Sequence, residues 1–245
     1  MYKIYNSDMK YTDVTNLLER FAYKDEVKFL ARYFKTGIGE YGEGDIFIGV
    51  TMPMQRKIAK RFSDLPLSEV ERLLKSKIHE HRMTALLILV IQFEKVDEKK
   101  TDDKKRKIIF DFYLKNIRYV NNWDLVDLSS HKIVGAYLFF LPRLILHELS
   151  ESEDIWRRRI AIVSTYHFIY HRDFTDTLLI AEKLLGDEHD LIHKAVGWML
   201  REVGKRDEKV LRRFLDKHGR KMPRTTLRYA IEKFSESDRK KYLML

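Results

Sequence analysis

Residues 191–207, LIHKAVGWMLREVGKRD, decide the fold class. They read as one amphipathic helix that sets a small residue, Ala195, in its apolar face with basic residues just before it. The same pattern stands in HEHRMTALLILV at 79–90, WRRRIAIVSTYHF at 156–168 and TTLRYAIEKF at 225–234, with alanines at 85, 161 and 230. The last two steps between these alanines are 34 and 35 residues and the first is 76, twice 38, so a middle copy is expected near residue 123, where NNWDLVD stands. A period in the high thirties with two helices per unit marks a HEAT-like solenoid, in which each helix pair buries its apolar face only by stacking on its neighbours. A helical bundle with incidental spacing is the plainer alternative.

Composition points the same way. With 44% hydrophobic residues in 245, the chain can bury a sizeable core, while 10 Gly and 4 Pro leave little turn chemistry for a many-stranded β fold. Helices are expected at 11–21, 24–35, 53–63, 67–76, 79–95, 101–117, 122–128, 131–149, 154–170, 173–185, 188–204, 207–217 and 223–233, as one domain over 1–245. One segment departs from this: residues 35–53 hold five of the ten glycines, and DIFIGV at 45–50 is β-branched and aromatic. It reads either as a short β-hairpin near 37–50 that probes a DNA groove or as a plain connection anchored by Phe47 and Val50.

Lys and Arg total 47 against 37 Asp and Glu, a net charge of +10, which suits a polyanionic partner. The basic residues cluster in WRRR at 156–159, LRRF at 211–214 and GRKMPRTTLR at 219–228. The absence of cysteine excludes disulfides, thiolate metal sites and cysteine nucleophiles. The N-terminal stretch lacks the apolar run of a signal peptide, and the longest apolar run, ALLILVI at 85–91, is far too short to span a bilayer, so a cytoplasmic protein without membrane contact is expected.

NNWDLVD, WRRRIAIV, KAVGWMLREVGKRD and MPRTTLRYAIEKF, in this order and at this spacing, resemble the AlkD-type DNA alkylation repair family of HEAT-like DNA glycosylases, from about residue 25 to the end. The resemblance implies an all-α solenoid with a concave basic DNA-binding face. It further implies hydrolysis of the N-glycosidic bond of N3- and N7-alkylated purines in duplex DNA, without metal or organic cofactor. Matched by position, Trp123 and Trp198 correspond to the paired tryptophans that pack against the lesion's backbone and sugar, Asp127 to the catalytic aspartate and Arg159 to the arginine that holds the lesion-side phosphates. Arg201 resembles a further backbone contact, and Lys194, Arg158, Arg224, Arg228 and Arg56 are expected to serve the same DNA. A monomer without an obligate protein partner is expected.

The chemistry can also be argued from the residues. An alkylated N3 or N7 makes the purine cationic, so it leaves as a neutral base without a general acid, and the remaining difficulty is the oxocarbenium-like sugar, which a fixed carboxylate such as Asp127 stabilises. Each candidate has a plainer reading. Trp123 and Trp198 can be read as core, Asp124 and Asp127 as helix caps or partners of nearby Arg, and Arg157 and Arg158 as an exposed helix face. His167 with His171, and His189 with His193, have the i, i+4 spacing of two metal ligands, but no clear third ligand accompanies either pair, so no metal is expected. A non-catalytic binder of distorted or branched DNA, using the 37–50 segment as its main contact, and a HEAT-like protein-interaction scaffold are the alternatives in other classes.

Overall fold

Segments of helical period whose ends carry caps or prolines should form short helices, and the computed structural model, which describes residues 9–98 and 103–244, shows this. The described residues are helical apart from their connections and contain no strand. The chain divides into two compact units, one up to Ser129 and one from Ser130.

In the first unit α1 (Tyr11–Glu19), α2 (Lys24–Tyr33), α3 (Met52–Arg61), α4 (Leu67–Leu74), α5 (His79–Glu98), α6 (Asp103–Lys115) and α7 (Trp123–Ser130) succeed one another along the chain. The expected helix at 101–117 begins two residues outside the described range. The centre of the unit is α5, where Met83, Ala85, Leu86, Ile88, Leu89 and Phe93 are buried all round the helix rather than along one stripe, as befits a helix enclosed by neighbours. α1, α3, α4 and α6 pack on it. Asp13 Oδ2 accepts the Lys10 N–H at 2.9 Å at the start of α1, and Asn122 Oδ1 accepts the Trp123 N–H at 2.8 Å at the start of α7.

The second unit opens with a π-helical turn, His131–Gly135, and one helical turn α8 (Ala136–Leu138). Then come α9 (Leu144–Ser150), α10 (Ile155–Ser164), α11 (Tyr166–Tyr170), α12 (Thr175–Lys183), α13 (Asp190–Arg206), α14 (Glu208–His218), α15 (Arg224–Ala230) and α16 (Glu236–Leu243). α10 packs on α9 and α13, and α13 on α14 and α15. Such stacking of neighbours along the chain is what a helical repeat array requires. The four alanines of the repeat, Ala85, Ala161, Ala195 and Ala230, are all buried.

Three expectations need correction. No β-hairpin forms at 37–50: residues 37–44 are turns, and Ile46 makes only an isolated parallel bridge to Ile78. The glycines explain this, because Gly39 and Gly44 turn the chain with positive φ, and residues 45–50 then run as a connection anchored by the buried Phe47 and Val50. The single helix expected at 131–149 is broken over 139–143, where Pro142 lacks the N–H a continuing helix needs. A last helix, α16, lies beyond the expected set and is capped by Ser235, whose hydroxyl accepts the Asp238 N–H at 3.2 Å.

Gly197 lets α13 approach α15 closely. A Cβ there would lie 2.5 Å from the Tyr229 Cβ and 2.6 Å from the Thr226 carbonyl oxygen, neither the mobile end of a side chain. Gly197→Ala should therefore lower unfolding stability by about 1–3 kcal/mol, the usual cost of overpacking, as read by urea denaturation. An unchanged midpoint would mean that α15 is free to shift.

Candidate active site and nucleic-acid interface

The N-terminus of α7 is held by a buried charge network. His79, at the first position of α5, lies 3.0 Å from Asp45 Oδ2 through Nδ1 and 2.8 Å from Asp124 Oδ2 through Nε2. Donating to two carboxylates requires a proton on both ring nitrogens, so this geometry calls for an imidazolium. Burial alone would depress the His79 pKa, but Asp124 and Asp45 outweigh it and push it up to about 9. Arg82 Nη2 donates to Asp45 Oδ1 at 2.5 Å, and Asn122 Nδ2 to Asp45 Oδ2 at 3.2 Å. Burial would raise the Asp45 carboxyl, yet its hydrogen bond from His79 and the Arg82 charge hold it below the usual carboxylate range.

Beside this network the buried Glu80 carboxylate accepts the N–H groups of Ile48, Gly49 and Val50, the Gly49 bond being 2.8 Å. Gly49 is obligatory there: its φ is +83°, and a Cβ would lie 2.1 Å from the Tyr23 carbonyl oxygen. The connection so fixed presents Phe47, which stacks on His79 at 4.6 Å and on Phe34 at 4.9 Å. Phe34 in turn stacks on Trp123 at 5.3 Å with the planes 15° apart, and Tyr33 meets the indole edge-on at 6.0 Å. Trp123 is therefore half-buried, with its orientation set by aromatic contacts.

Asp127, one turn further along α7, is also half-buried and shares that helix face. The sequence-based pairing of Trp123 and Asp127 on one helix holds. Asp124 is structural, its second oxygen accepting the Leu125 N–H at 2.8 Å, and its partner is His79 where an arginine was expected.

In the second unit Lys194, Trp198 and Arg201 lie on α13 at i, i+4 and i+7, one face of the helix. Trp198 is half-buried, its ring 5.9 Å from Tyr166, over which Arg206 sits at 5.7 Å. Arg159, on α10, is only 5% exposed, and its guanidinium donates to the Leu191 carbonyl at the start of α13, so it is a fixed charge.

Most of the other expected DNA contacts already hold partners. Lys194 pairs with Asp190 at 2.7 Å, Arg201 with Glu232, and Arg158 with Asp187 at 2.6 Å, as well as donating to the Ser152 and Glu153 carbonyls. Arg224 is exposed and donates to the Leu243 carbonyl at 2.6 Å. Arg228 and Arg56 are exposed and make no ion pair among the described residues. His189 Nδ1 accepts the Leu191 N–H, consistent with burial holding its pKa below the ordinary value, and His193 donates to the Asp187 carbonyl, so both rings serve the start of α13.

Sequence reasoning missed His79, Asp45 and Arg82, whose partners are far apart in the chain, and Tyr166, which stood inside a quoted repeat but matched no motif.

The chain matches the family described as DNA alkylation repair enzyme over residues 14–234. It belongs to that family, which places it in DNA repair. A solved structure described as "Predicted DNA alkylation repair enzyme from Enterococcus faecalis" superposes with a TM-score of 0.65, covering 88% of this chain and 97% of that one. At 16% identity that likeness concerns the fold. No curated protein matches the sequence.

The network predicts a pH profile. His79, raised to about 9, contributes stability that is complete below its unfolded pKa near 6.5 and is lost as pH rises from there through 9. His81, buried beside Arg82 and lowered to about 4, acts oppositely, removing stability as pH falls from about 6.5 toward 4. Unfolding free energy should therefore peak near pH 6.5 and fall by about 3 kcal/mol on the alkaline side. Urea denaturation of the wild type and His79→Gln tests this, because the alkaline fall should vanish in the variant. A fall that persists there belongs to other groups.

Proposed function

We propose that this protein is a monofunctional DNA glycosylase that hydrolyses the N-glycosidic bond of N3- and N7-alkylated purines in duplex DNA. The observation that carries the reading is α7, whose Trp123 is held by stacking on Phe34 and whose Asp127 stands one turn later on the same face. In the reaction the electron pair of the C1′–N bond passes to the cationic purine, which departs neutral. Water supplies the new C1′–O bond and loses a proton to solvent. Asp127 stabilises the oxocarbenium-like sugar and orients that water.

Trp123 and Trp198 supply indole faces for the lesion's sugar and backbone, a cation–π attraction of roughly 0.5 to 2 kcal/mol each when the facing group is cationic. Arg159 supplies positive charge for phosphate. Arg201, Lys194, Arg158, Arg224, Arg228 and Arg56 serve as DNA contacts, with duplex phosphates displacing the carboxylates that several of them now hold. The exposed Lys194–Asp190 pair is worth about 0–1 kcal/mol, so that exchange costs little, whereas Arg158 is held more firmly by Asp187 and two carbonyls. No cofactor or obligate protein partner enters this mechanism. The reading of the chain as a non-catalytic binder relied on a groove-probing hairpin at 37–50, and no strand forms there.

The test is release of N7-methylguanine and 3-methyladenine from methylated duplex DNA. The wild type should release both, while Asp127→Asn should be slower by about 100-fold or more, in line with loss of a group aimed at transition-state charge, and should bind the duplex as before. Absence of release by the wild type, with tight duplex binding, would sink the glycosylase assignment.

A further inference from the structure

The first unit contains a cavity of about 140 Å³ behind the 45–50 connection. A cavity of about 150 Å³ lined by apolar groups accommodates benzene, so this one is of single-ring size. Phe34, Phe47 and Met83 give it an aromatic and apolar wall. Its charged lining is acidic in a protein of net charge +10: Glu26, Glu80 and Asp124 contribute carboxylates, and among the described residues His79 is the one cationic group on the wall, with no Lys or Arg beside it. His79 and Arg82 balance Asp45 and Asp124, which leaves Glu80, bonded to backbone N–H groups, and Glu26, exposed at the start of α2, without an ion pair among the described residues. Phosphate would be repelled, and a cation attracted to both the carboxylates and the aromatic faces.

Gln55, which lines the cavity and is 4% exposed, adds a second observation. Its Nε2 donates to the Val50 carbonyl at 2.7 Å, which fixes the amide's orientation, and its Oε1 is buried without any partner among the described residues. Such a group in a native interior calls for a donor.

We propose that this cavity binds a small planar organic cation, a single N-alkylated heteroaromatic ring, with N–H donors on the ligand meeting Gln55. The site lies in the first unit and takes no part in the glycosylase assignment, which stands or falls separately. The source is a free heteroaromatic cation, because the phosphates of a nucleic acid would meet the same carboxylates.

The experiment titrates the full chain with N-methylpyridinium, with its 4-amino derivative, whose N–H donors can meet Gln55 and which should bind tightest, and with toluene, a neutral ring of similar shape, following the methyl resonances of Met52 and Met83 by NMR. N-methylpyridinium should shift both and bind about tenfold more tightly than toluene, as a cation–π contact predicts. Leu30→Trp should abolish binding by filling the cavity, and Glu26→Gln, at an exposed position where folding is not at risk, should weaken it severalfold. Equal or tighter binding of toluene, or no shift of either methyl, overturns the proposal. Displacement of N-methylpyridinium by a duplex containing N7-methylguanine would overturn the assignment to a free single-ring cation, and its retention would support it.

Discussion

A doubly protonated imidazole closed off from water is the constraint on which the first unit depends. Isolated, such a charge would be untenable, since desolvating an ion costs several kcal/mol, so the chain surrounds His79 with carboxylates drawn from two distant places. Asp45 arrives from the glycine-rich connection and Asp124 from the first turn of α7. The same ring stacks on Phe47, and through Phe34 that stack continues to Trp123. One buried cation thus sets the position of the connection, the start of α5 and the indole on α7.

The second unit is organised by packing more than by charge. α13 is its central element, buried along Ile192, Ala195, Val196, Met199, Leu200 and Val203, and Gly197 allows α15 to come near. Its remaining face shows Lys194, Trp198 and Arg201 to the outside of that core. Much of the formal positive charge is matched internally, as Arg158 with Asp187 and Arg201 with Glu232 demonstrate. Pairing uses cations and carboxylates in equal number, so the net charge of +10 is untouched by it, but at Arg158 and Arg201 binding a polyanion requires the exchange of one set of anions for another.

The helices were legible in the sequence because a 3.6-residue period and end signals such as Asn122 or Asp207 are local features. Pro142 broke the long helix expected at 131–149, whereas the π-helical turn at His131–Gly135 continues α7 into α8, so the apolar pattern alone did not show where the helix stops. Phe47 and Val50 were recognised as anchors, whereas the β-branched character of DIFIGV also suggested a strand. What pins that stretch is Glu80, whose bonds to the N–H groups of Ile48, Gly49 and Val50 leave them unavailable for a ladder. The pairing of Trp123 with Asp127 was visible as a spacing. The seat of Trp123 was not, because Phe34, Phe47 and His79 come from three other segments. Asp124 is structural as its plainer reading had it, but its partner is the distant His79 and no arginine.

The separations within the Asp45 cluster bear on the order in which the molecule acquires structure. Asp45 is joined to partners 34, 37 and 77 residues away in the chain. Closing such loops incurs entropy before any contact compensates it, whereas adjacent helices meet through near neighbours. Loop-closure entropy therefore favours helix pairs forming ahead of this cluster in refolding, with the indole of Trp123 expected to settle after the buried ions have found one another. Fluorescence of Trp123, isolated by replacing Trp156 and Trp198 with phenylalanine, would thus report a late event, kinetically separate from the appearance of helical circular dichroism.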